Sequence, residues 1–210
     1  MTAPRLDITV VIPTHSARVA NGMLDRALKS VTAQTYPAAA VSVAVDLNGQ
    51  GAAATRQRAL DAVRTEWVAY LDSDDWFYPD HLKTLAAGAR VYRGADVLFS
   101  YYMVHAADGP ALPHVDPLGH FGKAFDPARP HQTTIVTLER TDLAKAVGFR
   151  EPPAGALVDG QRYGEDFQHT VELVKAGARI VHIPRRTWAW VHHSGNSSGQ
   201  PDRGDAKRST

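Results

Sequence analysis

Three carboxylates fall within four positions at Asp72-Ser73-Asp74-Asp75, directly after the apolar run Val68-Ala69-Tyr70-Leu71. An interior strand can end this way when its carboxyl end opens into a polar site. Oxygen-only donors in such density suit a hard divalent cation, Mn²⁺ or Mg²⁺, better than zinc. Such an ion completes its shell with water and substrate phosphates, which points to a phosphorylated or nucleotide-linked substrate. The same residues are also ordinary turn formers, and two aspartates ahead of a helix opened by Pro79 could simply cap it.

Which elements would position these residues follows from two alternating periods. Residues 8–12 read as a buried strand ended by Pro13, and 23–33 carry apolar residues at helical spacing. Residues 41–45 form a second strand and 52–64 a second helix. A third strand covers 67–71 and a helix 79–92. This alternation predicts an α/β fold with a mostly parallel sheet and right-handed crossovers. Ligands in such sheets sit beyond the carboxyl ends of the strands, so Pro13, Thr14 and His15, then Asp46 and Asn48, then the acid loop should share one rim. The second half is less regular. It reads as one strand or a bent pair over 96–104, a long loop over 106–130, a strand over 133–138 and a helix over 140–147 capped by Gly148. A helix over 165–176 stopped by Gly177 and two final strands, 179–183 and 187–192, complete it.

The 210 residues suffice for one domain with a substantial core, and 44% apolar with 21% charged residues is ordinary globular composition. A net charge of +1 gives no general argument for nucleic acid or an acidic membrane. With no cysteine, thiolate metal sites, disulfides and cysteine nucleophiles are excluded. The first residues lack the pattern of a leader, and no run has the length of a membrane helix, so the expectation is a cytoplasmic protein. Residues 194–210 are polar and Gly-rich and are expected to form a flexible tail.

In order along the chain stand Val10-Val11-Ile12-Pro13-Thr14, then Leu28-Lys29-Ser30-Val31-Thr32-Ala33-Gln34-Thr35-Tyr36-Pro37, then Thr55-Arg56-Gln57. The acid loop with Trp76 follows, and Gly164-Glu165-Asp166-Phe167 closes the series. This ordered set resembles the family 2 glycosyltransferases, over roughly residues 8–198. The resemblance implies a single GT-A-type domain over 1–193. Its Rossmann-like half, 1–105, would bind the nucleotide, and 106–193 would form the acceptor side.

It further implies a metal-dependent, inverting transfer from a nucleotide sugar, with a UDP-sugar favoured, to an acceptor hydroxyl. Pro13, Thr14, Asp46, Asn48, Arg56, Asp72 and Ser73 would bind the nucleotide sugar. Asp72 and Asp74 would hold Mn²⁺ or Mg²⁺, with His192 or His193 approaching the metal. Asp166 would be the catalytic base, with Glu165 beside it. The acceptor could be a glycan, a lipid-linked sugar, a protein or a modified nucleobase. Each residue also has a plainer role: Asp46 as a turn cap before Asn48-Gly49, Arg56 as a solvated helix charge, and the Glu165-Asp166 pair as acids facing a helix dipole. Thr14-His15-Ser16 and Thr55-Arg56-Gln57 depart from the family's common Thr-Tyr-Asn and Ala-Arg-Asn. His131, Gln132 and Thr133 are further candidates for the acceptor side.

A silent nucleotide-sugar-binding module is the alternative outside enzymes. A Mg²⁺-dependent phosphohydrolase would want a small residue where Trp76 stands. A sugar nucleotidyltransferase would want a Gly-rich basic loop after the first strand.

Overall fold

The computed structural model describes residues 5–106, 109–131, 134–158 and 161–193. Gln132, Thr133 and the tail expected over 194–210 lie outside the described residues. The elements run β1 (Ile8–His15), α1 (Ser16–Ala20), α2 (Met23–Thr32), β2 (Ala40–Asp46), α3 (Gly51–Asp61), β3 (Trp67–Tyr70), β4 (Trp76–Phe77) and α4 (His81–Val91). They continue with β5 (Val97–Ala106), β6 (Ala111–Leu112), β7 (Thr137–Arg140), α5 (Thr141–Val147), β8 (Leu157–Val158), β9 (Gln161–Arg162), α6 (Glu165–Lys175) and β10 (Ile180–His192).

The main sheet has the order β2-β1-β3-β7-β5-β10-β4, with β6 alongside β5. β1, β2, β3, β5 and β10 run one way, and β4, β6 and β7 run against them. This is the mostly parallel α/β sheet that the alternation predicts. Period-2 burial separates its two faces. Ile8, Val10, Ile12, Trp67, Ala69 and Leu71 pack with α2 and α4 through Ala27, Val31, Leu82 and Leu85. Val11, Val68 and Tyr70 point the other way, onto Ala53, Ala59 and Leu60 of α3 and Ala144 of α5. Among the described residues, no helix is long and apolar enough to cross a membrane.

Four expectations are corrected. Pro13 does not end β1, which continues to His15 in register with β2. The Val11 carbonyl accepts from Leu71 on the β3 side, so Pro13, two residues on, faces the same side. β1 pairs with β3 only as far as Val11, so the amide proton that proline lacks has no partner to lose there. The two final strands are one, β10, whose register against β5 breaks between His182 and Arg186 and again before Trp188. Pro184 lies in that break, where its missing amide proton leaves no ladder bond unmade. The long loop is also not structureless. β6 folds back on β5, and Asp116 Oδ1 accepts from Tyr101 Oη at 2.6 Å and Tyr102 Oη at 2.8 Å. Finally, α4 begins at His81, so neither Asp74 nor Asp75 caps it.

Candidate active site

β1, β2 and β3 deliver their carboxyl ends to one rim, as the parallel alternation requires. The Thr14 side chain is buried at the end of β1, and its Oγ1 has no hydrogen-bond partner among the described residues. Asp46 closes β2 and turns back on the next loop. Its Oδ1 accepts from the amides of Asn48 at 3.2 Å and Gln50 at 2.9 Å, and its Oδ2 from Gly51 at 2.9 Å. The amides of Gln50 and Gly51 hold this carboxyl below its ordinary value. Asp46 therefore shapes the entry to α3 whatever else it binds, and exposed Asn48 stands on that loop.

The acid loop is fixed from three sides. β4 pairs antiparallel with β10, Trp188 opposite Phe77 and Ala189 opposite Trp76. That pairing carries the end of β10 past the carboxylates: Asp75 Oδ1 accepts from the Val191 amide at 2.9 Å, and His193 Nε2 lies 3.1 Å from Asp74 Oδ2. Of the two histidines considered, His193 reaches the loop. His192 lies edge-on to Trp190, its ring centroid 5.0 Å away. From the second side, Arg18 of α1 places Nη2 2.5 Å from Asp74 Oδ2. Arg26 of α2 donates to the Asp74 carbonyl at 2.5 Å while its guanidinium lies 4.5 Å from the Trp76 ring centre. From the third, Arg56 of α3 binds Asp72.

Asp72, Asp74 and Asp75 each bring an oxygen within 4.8 Å of the others. Ser73 between them is fully buried. Burial, then the charges of Asp74 and Asp72, push the Asp75 carboxyl well above its ordinary value. Three hard oxygen donors crowded to the point of mutual repulsion fit a divalent cation such as Mn²⁺ or Mg²⁺, whose charge would relieve it.

Arg56 joins this loop to the helix that carries the candidate base. Only 3% exposed, it donates from Nη2 to Asp72 Oδ1 at 2.7 Å and from Nη1 to Glu165 Oε1 at 2.5 Å. Burial opposes its charge, but Asp72 and Glu165 more than offset that and raise its pKa further. The side chain expected to contact the nucleotide thus spends both terminal nitrogens on protein carboxylates. Asp166 is the next residue along α6. Its Oδ1 accepts from the Phe167 amide at 2.7 Å and lies over Gly164, where an added Cβ would approach it to 3.0 Å. Burial, then Glu165, raise its carboxyl above the ordinary value of 3.8 while Arg56 pulls it back. A carboxylate with raised affinity for a proton is a better general base.

One turn further along α6, His169 fixes the helix to the sheet. Its Nδ1 lies 2.9 Å from the Gly148 carbonyl, which can only accept, so that nitrogen carries a proton. Its Nε2 lies 2.9 Å from Glu139 Oε2 of β7, and Thr137 Oγ1 donates to the other Glu139 oxygen at 2.8 Å. One further proton is shared across the His169–Glu139 contact, and Glu139 is wholly buried. The Phe149 ring stacks on His169 at 4.1 Å and lies 5.3 Å from the Arg56 guanidinium. Packing thus runs without a gap from the base helix to the acid loop.

Residues 41–141 match the sequence model of glycosyl transferase family 2. Over that stretch, 101 of the 210 residues, the chain is similar to the family 2 glycosyltransferases. Glycosyltransferase GlyA of Streptococcus pneumoniae serotype 4 is 20% identical over 220 residues, which cover 91% of this chain and 31% of that protein. The fold is also similar to that of S. aureus TarS 1-349. The complex of TarS with UDP-GlcNAc superposes with a TM-score of 0.67 at 18% identity, over 91% of this chain and 60% of that one. The complex with UDP gives 0.62 at 19%, over 89% and 61%. The chain therefore spans about a third of GlyA and three fifths of TarS 1-349, and at these identities the likeness to TarS speaks for the fold.

Sequence reasoning had not singled out Arg18, Arg26, Phe149, Glu139 or His169 for the site. Arg18 follows the first strand by three residues, a position that the rim rule could have flagged. A broad cleft at the opposite end of the sheet, lined by Thr65, Glu66, Arg140 and Lys145, contains none of these residues.

Proposed function

We propose that this glycosyltransferase domain moves a sugar from a UDP-sugar to an acceptor hydroxyl with inversion, Asp166 serving as general base. The observation that carries the reading is the buried Arg56, which grips Asp72 of the acid loop and Glu165, the neighbour of Asp166, at the same time. Such a link holds a leaving-group site and a base in fixed relation, which a single displacement needs. TarS, with the same fold, has been crystallised with UDP-GlcNAc and with UDP, which favours a UDP-sugar here.

Pro13, the unpartnered Thr14 hydroxyl, the Asp46–Asn48 turn and the acid loop around the buried Ser73 form the nucleotide side in this reading, which gives residues 1–105 to the donor and 106–193 to the acceptor. Asp72, Asp74 and Asp75, with His193 beside them, would hold Mn²⁺ or Mg²⁺, which when bound supplies positive charge to the departing diphosphate. Asp166 accepts the proton of the acceptor hydroxyl, whose oxygen forms the new bond to the anomeric carbon as the bond to the nucleoside diphosphate breaks on the opposite face. Glu165, neutralised by Arg56, keeps that carboxylate oriented. A glycan, a lipid-linked sugar, a protein or a modified nucleobase each offers a suitable hydroxyl, and a cytoplasmic setting belongs to the same reading.

The test is release of UDP from a panel of UDP-sugars with Mn²⁺ present. Asp166→Asn should keep UDP affinity in calorimetry and lose about 10²–10⁴-fold in turnover. Turnover at the wild-type rate in that variant would remove Asp166 from the role. A wild-type chain that binds UDP but turns over no donor would be a binding module instead.

A further inference from the structure

Asp72 and Asp74 are each paired with an arginine, but the two arginines are held very differently. Arg56 is held through both terminal nitrogens: buried on α3, it has Glu165 as a second carboxylate and Phe149 near its guanidinium. Arg18 stands on α1, a five-residue helix that buries none of its residues. Its side chain retains 21% exposure, and beyond Asp74 its guanidinium meets Ser73 Oγ at a long 3.5 Å. Asp74, whose Oδ2 it occupies, belongs to the cluster of three carboxylates that fits a cation. A guanidinium and a divalent cation drawn to the same carboxylate compete for it, because their charges repel.

We propose that Arg18 is a displaceable counter-ion. It neutralises Asp74 while the acid loop lacks a cation, gives up Oδ2 when one binds, and then turns its planar donor fork to the diphosphate of the nucleotide sugar. The proposal rests on the donor and metal reading above and adds a residue and an order of events to it. A cation of this type is shared between carboxylates and substrate phosphates, so the phosphates arrive within reach of the side chain that has just been released. Guanidinium forks match phosphate oxygens in geometry as well as charge. Because α1 is tied down by so little else, it can follow its arginine at small cost. Arg18 would thus hold the loop ready before the cation arrives, and bind the donor only afterwards.

Mn²⁺ titrated into the metal-free chain without nucleotide, followed by the loss of its free electron paramagnetic resonance signal, tests the first half. Removing a competitor from a partly exposed pair should make Arg18→Gln bind Mn²⁺ about two- to fivefold more tightly than wild type. Calorimetry at saturating Mn²⁺ tests the second: the variant should bind UDP about tenfold more weakly, with UMP little changed. Arg18→Lys keeps a charge without the fork, and should restore Mn²⁺ affinity toward wild type while leaving UDP weak. Unchanged or weaker Mn²⁺ binding in Arg18→Gln would overturn the competition, and equal losses for UDP and UMP would overturn the diphosphate contact. If wild type itself binds neither Mn²⁺ nor UDP, the donor reading fails and takes this inference with it.

Discussion

The pair of Glu139 and His169 allows a sharp separation of charge from hydrogen bonding. Glu139→Ala removes the partner of a wholly buried imidazole, leaves the Thr137 hydroxyl only its 3.2 Å bond to the Ile135 carbonyl and opens a cavity under α6. Losing one member of such a pair costs about 3–5 kcal/mol. At about 2–4 °C per kcal/mol for a chain of this size, the melting temperature should fall by about 6–20 °C. Glu139→Gln should behave otherwise. With His169 Nδ1 protonated toward Gly148, a neutral ring presents Nε2 as an acceptor. The new amide can donate to it while its oxygen still accepts from Thr137, so every bond survives and the cost should stay below about 1.5 kcal/mol. Thermal and urea unfolding of the two variants side by side decide the matter. If Ala costs no more than Gln, this pair does not fasten α6 to the sheet. If Gln costs as much as Ala, ionic attraction rather than bond count holds it.

Two further outcomes follow from the site's electrostatics and packing. Asp75 and Asp166 both have folded-state pKa values above the ordinary 3.8. Their contribution to stability is therefore complete below that value and lost as pH rises through the raised ones. The metal-free wild type should lose stability in urea relative to Asp75→Asn and to Asp166→Asn as pH climbs through that window, and saturating Mn²⁺ should flatten the difference for Asp75. A wild-type advantage that instead grows across the window would contradict both assignments. Gly164→Ala sets a Cβ 3.0 Å from Asp166 Oδ1 without backbone strain, since φ there is −93°. Steady-state kinetics should show kcat reduced about tenfold or more with UDP affinity retained; an unchanged kcat would mean that this carboxylate is not held where it acts.

Much of the first half of the chain was legible because β1 and β3 are buried on both faces and α2, α3 and α4 on one. Val10, Val11 and Ile12 in β1, and Val68 to Leu71 about β3, are continuous apolar runs for that reason. What escaped depends on partners distant in sequence. A strand of only Trp76 and Phe77 has no period of its own and exists through its pairing with Ala189 and Trp188. Residues 179–183 and 187–192 read as two strands, yet the chain bulges around Pro184 between them and resumes. Among the candidate site residues, Asp166, Glu165 and the acid loop were visible through the ordered motifs. Arg18 and Arg26 were not, since a surface arginine looks the same in sequence whether it meets water or a carboxylate. Whether His192 or His193 approached the loop turned on the register of β10, which only the tertiary pairing fixes.

The antiparallel contact of β4 with β10 also bears on how the protein comes into being. Asp75 receives its amide proton from Val191, 116 residues later in the chain. A nascent polypeptide that has emerged only as far as α4 has all three carboxylates but neither the strand that braces them nor His193. Closing so large a loop is entropically slow, and contacts of this separation form late. The acid loop should therefore acquire its final shape only when β10 inserts beside β5. An amino-terminal fragment that keeps every residue of the aspartate motif would still lack a finished pocket.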